Sequence, residues 1–416
     1  MSGTGWARGC LVMVGVSHHA ASLDVRERLA MSAATWAELA PPDVPSVLLS
    51  TCNRVEVYAW GSGRGLRVAG QLRRALARAA GMPLPELAPH LVTRTASDAT
   101  LHLVRVASGL DSLVVGEEQI RGQVRAAFRE ASTSTPLPAP LLGIFQRVLR
   151  ASREVRVETP LGHHPSIATA GVEVALRQPA LAGRRPDGLD VLVLGAGVMA
   201  KSALEHLLPL GPRLTLLNRT LTNAERLAEA FGAGVAVDSI DALPAHLLAA
   251  DLVVCGTAAR RPVLDAPMLA AALEARARRP LVLLDIAVPR DVDPLARTVT
   301  GVCLIDLDDL ERLCPVDLHD RQAETDRVES RAAEAAAAID TWLRIRALGP
   351  AIVALRQQGE DVCRDELRRT FARLPSLEPQ ERQAIETLAE RIAKKLLHRP
   401  TLALRASAET VRQRRR

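Results

Sequence analysis

The chain has 416 residues, 48% of them apolar and 24% charged, with a net charge of +6. That is the composition of a globular protein of two or three domains, each long enough to bury a core. It contains no apolar stretch near the roughly 18 residues that cross a bilayer, and its start lacks the basic and apolar regions of a secretory signal. The six cysteines (Cys10, Cys52, Cys255, Cys303, Cys314, Cys363) include no CxxC pair, so a reducing cytoplasm is expected rather than a disulfide framework, and no metal site is expected. Nearly all the positive charge is arginine; this permits contact with a polyanion such as RNA, although a solvated charged surface explains it as well.

Residues 12–16 and 47–57 are β-rich, and 23–40 have helical periodicity. With a strand at 91–93 and helices around 66–80 and 97–107, residues 1–130 predict a small α+β domain. Within it, Ser50-Thr51-Cys52-Asn53-Arg54 places a thiol at the end of a strand beside an arginine. A nearby cation and unsatisfied N–H groups favour the thiolate, hence a nucleophile; a small buried hydrophobe is the competing reading. Further on, Gly109 and Gly116 bracket a polar run in which Ser112, Glu117, Gln119 and Gln123 can converge on a ligand or merely cap the next helix. His18 and His19 follow a strand end and His102 lies in an amphipathic helix; packing roles explain each of them equally. A loop is predicted over 132–140 and a helix over 141–156.

In the second region, strands at 190–194, 214–217, 252–255 and 281–285 alternate with helices, the pattern of a parallel, doubly wound sheet. Directly after the first strand comes Gly195-Ala196-Gly197-Val198-Met199-Ala200. Gly195 suits a tight turn, Gly197 lets backbone approach a pyrophosphate, and the helix that follows supplies N–H donors. After the second strand stands Asn218-Arg219-Thr220, where NAD enzymes usually carry a carboxylate for the ribose 2′-hydroxyl. An arginine there attracts a 2′-phosphate, which favours NADPH, although it can also simply face solvent. Helices are predicted near 320–346, 350–374 and 378–397, in an Ala-, Glu- and Arg-rich region suited to dimerisation.

Taken in order, these segments resemble the glutamyl-tRNA reductase family. The resemblance also rests on Val14-Gly15-Val16-Ser17-His18-His19, Val25-Arg26-Glu27-Arg28-Leu29, Asp285-Ile286-Ala287-Val288-Pro289-Arg290-Asp291 and Leu396-Leu397-His398-Arg399-Pro400-Thr401, and it covers nearly the whole chain. It implies an α/β multidomain fold: an N-terminal α+β catalytic domain (1–156), a Rossmann-like NADPH domain (157–306), and a spinal helix with an all-helical dimerisation domain (307–416). The implied reaction opens five-carbon tetrapyrrole synthesis. Cys52 takes the glutamyl group from glutamyl-tRNA as a thioester, and NADPH reduces it to glutamate-1-semialdehyde. Thr51, Asn53, Arg54, Ser112, Glu117, Glu118, Gln119 and Gln123 then surround the glutamyl group, with Arg54 on its carboxylate, and His102 matches a position important for activity. A V-shaped homodimer, tRNA between its arms, and transfer of product to an aminomutase are also implied.

The chain departs from the family pattern at Ser22, Glu118, Ala200 and the linker 161–167. Two other readings remain: a regulatory paralogue with little turnover, and an ordinary NADP oxidoreductase such as shikimate dehydrogenase. Cys52 and Arg54 speak against the first, and the N-terminal motifs against the second.

Overall fold

The computed structural model describes residues 9–63, 65–112, 119–157, 166–257, 259, 261–313 and 318–410. Its first region comprises β1 (Gly9–Ser17), α1 (Leu23–Leu29), α2 (Ala33–Leu39), β2 (Ser46–Ser50), β3 (Arg54–Ser62), α3 (Leu66–Ala80), α4 (Leu84–Leu87), β4 (Val92–Thr95), α5 (Ala96–Ala107), α6 (Gln119–Ser134) and α7 (Ala139–Val157). The strands form one antiparallel sheet in the order β2-β3-β1-β4. β1 and β3 are near-continuous apolar runs because both faces of the sheet are covered. Val12, Val14, Val55 and Val57 pack towards α1 to α3, while Leu11, Met13, Tyr58 and Trp60 pack towards α5 to α7.

Two expectations change here. The β-rich stretch 47–57 is a hairpin, with Ser50 paired to Val55, so Cys52 sits on its turn. The loop expected over 132–140 begins later. Ser132 and Ser134 stay in α6 by donating their hydroxyls to the carbonyls of Phe128 and Glu130 at 2.7 and 2.8 Å.

The second region contains α8 (Ile167–Leu176), β5 (Asp190–Leu194), α9 (Val198–Leu207), β6 (Arg213–Asn218), α10 (Leu221–Glu229), β7 (Val235–Ser239), α11 (Leu243–Leu247), β8 (Leu252–Cys255), α12 (Ala266–Ala275), β9 (Leu281–Asp285) and β10 (Val302–Ile305). All six strands are parallel, in the order β10-β9-β8-β5-β6-β7. Strand order reverses between β5 and β8, and ligands bind at such a switch point, beyond the carboxyl ends of the strands.

Then come α13 (Leu307–Leu313), α14 (Leu318–Ala347), α15 (Gly349–Arg373) and α16 (Pro379–Thr410). Helix α14 is not separate from the first region. Its Val328, Ala332, Ala336 and Ile339 complete the core beneath α5 and α7, and the Arg147 guanidinium lies 3.8 Å over the Trp342 ring. Helices α15 and α16 pack on each other around an apolar groove of about 650 Å³ that includes Leu355, Val362, Ile385 and Ile392. α16 runs past residue 397 and through Pro400. The proline costs the bond to the Leu396 carbonyl, while the Thr401 hydroxyl donates to the Leu397 carbonyl at 2.7 Å. Among the described residues, no helix is long and apolar enough to cross a membrane.

Candidate active site

The β2–β3 turn is built by its own sequence. Thr51 N–H donates to the Arg54 carbonyl at 2.8 Å, and the Thr51 hydroxyl oxygen accepts from the Asn53 and Arg54 N–H groups at 3.3 and 3.2 Å. Two further contacts hold the turn from outside. His18 N–H donates to the Asn53 carbonyl at 2.9 Å, and Arg26 donates to the Cys52 carbonyl at 2.7 Å. Cys52, half-buried, is thereby presented from a fixed backbone.

Behind the turn lies a buried polar network. Arg54 Nη1 donates to Glu56 and to Asp111, both at 2.9 Å, and its Nη2 donates to the Asp111 carbonyl. Glu56 also pairs with His102 Nε2 at 2.9 Å and accepts from the Tyr58 hydroxyl at 2.5 Å. Burial disfavours the Glu56 charge, but Arg54 and then His102 outweigh it and bring the pKa down to about 2. Burial likewise opposes the Arg54 charge, and the Glu56 and Asp111 carboxylates reverse that, so Arg54 stays charged. The guanidinium is therefore already engaged by two protein carboxylates, and a two-pronged grip on a substrate carboxylate requires Asp111 to let go. His18 is held neutral, its pKa near 4, by burial first and by the charges of His19, Arg54 and Arg26 second.

Opposite the thiol stands the switch point of the parallel sheet. Gly195 has φ +99°, and a Cβ there would lie 2.6 Å from the Gly256 carbonyl oxygen. Among the described residues Gly197 has only that same oxygen within reach, at 4.0 Å, so its face is open to a ligand. Ala200 is buried, so its methyl group packs where the third residue of the turn meets the sheet. Val198 is 63% exposed at the first turn of α9. An open glycine turn leading into a helix of ten residues fits a dinucleotide pyrophosphate. Asn218 closes β6 and donates to the Thr220 carbonyl at 2.8 Å, while Arg219 is exposed beside it. On the neighbouring strand end, Asp291 accepts the N–H of Thr257 at 2.8 Å and also its hydroxyl.

The two halves meet. A cavity of about 200 Å³ is lined by Thr51, Cys52 and Gln123 on one side and by Met199, Gly256, Thr257 and Val288 on the other. Gln119 instead donates to Ser202 of α9 at 3.0 Å, bridging the two regions, and its Oε1 has no partner among the described residues. Ser112 is buried next to Asp111. Glu117 and Glu118 lie outside the described residues. Unpartnered buried atoms nearby are Asn53 Oδ1, Arg54 Nε and Ser108 Oγ.

Residues to which the sequence reading gave no role hold the halves together. Arg26 donates to Asp308 at 2.7 Å, and the Leu23 N–H donates to the other Asp308 oxygen at 3.3 Å. Asp308 thus caps α1, whose own N-cap Ser22 makes no side-chain bond. Arg290 binds Glu27 at 2.9 Å and also reaches Asp24. Glu56 had a legible signal, two positions from Arg54 on one strand face; Asp308 had none.

Residues 14–159 match the model of the glutamyl-tRNA(Glu) reductase N-terminal domain, 181–313 that of shikimate/quinate 5-dehydrogenase, and 327–415 that of the glutamyl-tRNA(Glu) reductase dimerisation domain. The chain is 36% identical over 409 residues to the glutamyl-tRNA reductase of Syntrophotalea carbinolica, covering 96% of this chain and 90% of that one. It is 37% identical to that of Rubrobacter xylanophilus, covering 96% and 92%. The solved glutamyl-tRNA reductase of Methanopyrus kandleri is 30% identical, with 96% and 99% covered and a TM-score of 0.44. With 36% and 37% identity to the first two relatives over 96% of its length, and with N-terminal and dimerisation domains that match that family's models, the chain belongs to the glutamyl-tRNA reductase family.

Proposed function

We propose that this chain reduces glutamyl-tRNA to glutamate-1-semialdehyde with NADPH, through a thioester on Cys52, as the first committed step of tetrapyrrole synthesis. One observation carries the reading: Cys52 lines the same cavity as Met199, in the glycine-rich segment, and Gly256 and Thr257, beyond the end of β8. The Cys52 thiolate attacks the ester carbonyl. The tetrahedral adduct expels the terminal ribose oxygen of the tRNA, which takes up a proton, and leaves the glutamyl thioester. Bound at Gly195, Ala196, Gly197, Val198, Met199 and Ala200, with Arg219 on its 2′-phosphate and Asn218 and Thr220 beside it, NADPH supplies a hydride to the thioester carbonyl. Collapse of the resulting hemithioacetal releases the aldehyde and regenerates the thiolate. A cavity of about 200 Å³ suits the reacting groups; the rest of the dinucleotide belongs in the crevice above β5 and β6.

In this reading Asn53 accepts from the substrate ammonium group and Arg54 donates to a substrate oxygen, with Thr51, Ser112 and Gln123 around them. His102 is a positioning residue, holding Arg54 through Glu56. The C-terminal helices make the homodimer, and the reactive aldehyde calls for direct transfer to an aminomutase. The decisive experiment follows NADPH oxidation with purified protein and charged tRNA. Oxidation that depends on glutamyl-tRNA and is abolished in Cys52→Ser is expected; oxidation that persists in Cys52→Ser overturns the thioester route.

A further inference from the structure

The seam between the N-terminal sheet and α13 holds a second cluster that the reaction above does not use. His18 and His19 follow the end of β1, and Glu311 lies three residues past Asp308 on α13. One ring nitrogen from each histidine and one Glu311 oxygen all fall within 4.8 Å of one another. His19 Nδ1 is 4.0 Å from Glu311 Oε1, and His19 Nε2 is 3.8 Å from Asp111 Oδ1. His18 is only 9% exposed, and its Nδ1 has no hydrogen-bond partner among the described residues. A buried polar nitrogen left without a partner is costly, and native structures rarely leave one unexplained.

We propose that His18, His19 and Glu311 bind one divalent transition-metal ion of the zinc class, with water as fourth ligand. Two imidazoles and a carboxylate form a nitrogen-rich donor set that suits zinc and disfavours magnesium or calcium, which take oxygen. Ligand atoms around a tetrahedral ion with bonds near 2.0–2.1 Å lie roughly 3.3 Å apart, so the cluster must tighten by up to about 1.5 Å. The side chains that have to move are the accessible ones, His19 at 58% exposure and Glu311 at 38%. Charge permits a dication. Arg26 and Arg54 face His18, but they are paired with Asp308, Glu56 and Asp111, and Glu311 adds a fourth carboxylate. The ion ties the loop after β1 to α13, across the seam that Arg26 and Asp308 already close.

The test is titration of the full-length chain with Zn²⁺ by calorimetry and with Co²⁺ by visible absorption. One ion per chain is expected, with a cobalt spectrum of tetrahedral type. His19→Ala and Glu311→Gln should each weaken binding at least about tenfold; Glu311 is accessible, so that variant keeps the fold and stands if His19→Ala does not. Cys52→Ser should bind as the parent does. Unchanged affinity in Glu311→Gln, no saturable binding at all, or loss of binding in Cys52→Ser alone overturns the proposal, the last by placing the ion on the thiol.

Discussion

Arg26 and Asp308 are 282 residues apart in sequence and 2.7 Å apart in space, and the same guanidinium holds the carbonyl of Cys52 at 2.7 Å. One side chain thus reads both the docking of α13 and the backbone of the nucleophile's turn. Arg26 is 2% exposed and Asp308 39% exposed, so the Coulomb part of the pair is screened and the lost backbone bonds weigh more. Arg26→Ala should cost about 2–3 kcal/mol in denaturant unfolding. Asp308→Asn keeps an acceptor for Arg26 but loses the charge that draws the halves together. It should slow reduction of the thioester on the order of tenfold, the effect of about 1.4 kcal/mol, while tRNA release without nucleotide stays unchanged. Single-turnover measurement of the two steps decides this; equal slowing of both would place the defect at the thiol itself.

Glu56 couples the same network to pH. Its folded pKa of about 2 lies below the ordinary 4.5, so its contribution is present above pH 4.5 and is lost as pH falls towards 2. The shift corresponds to about 3 kcal/mol at neutral pH. Glu56→Gln should lose roughly that much at pH 7, and the gap between variant and parent should be about half as large at pH 3. Unfolding curves at the two pH values give the comparison. A gap independent of pH would show that shape, not the carboxylate charge, holds Arg54 and His102.

Much of this was legible before any coordinates. The runs 191–194, 252–255 and 281–284 are fully apolar because those strands are central in a sheet covered on both faces, and the strands expected over 190–194, 252–255 and 281–285 have the observed bounds of β5, β8 and β9. The edge strands β7 and β10 were missed: their apolar runs, Val235-Ala236-Val237 and Val302-Cys303-Leu304-Ile305, are too short to stand out, and neither strand is fully buried. Cys52 and the glycine turn announce themselves through local residue types. What joins them is not local. Asp308, Arg290 and Ser202 each bond a partner more than eighty residues away, and no periodicity in the chain records such a bond. Arg54 shows the same limit: its residue type suggested a grip on substrate, while Glu56 and Asp111 already occupy it.

Arg219 follows β6 and is exposed, so its removal should leave folding alone. Arg219→Ala should weaken NADPH binding by roughly 10- to 100-fold, the scale of one charge-assisted bond. NADH binding should change little, because NADH has no 2′-phosphate. Fluorescence titration with both nucleotides measures this, and equal losses for the two would remove Arg219 from cofactor choice.

The two glycines of the turn should separate folding from binding. At Gly195, a methyl group meets the Gly256 carbonyl at 2.6 Å on a backbone with φ +99°, where L residues are strained whatever the space. Gly195→Ala should therefore lower the melting temperature and abolish nucleotide binding together. Among the described residues Gly197 has its only neighbour at 4.0 Å, so Gly197→Ala should melt as the parent does. Its new methyl group stands where the pyrophosphate must approach the backbone, and NADPH affinity should fall by at least about tenfold. Thermal melts with and without NADPH make the contrast visible: the parent is raised by ligand, Gly197→Ala starts equal to the parent but gains little, and Gly195→Ala starts low. If Gly197→Ala bound NADPH normally, the pyrophosphate would have to lie elsewhere than against this turn, and the placement of the hydride donor opposite Cys52 would fall with it.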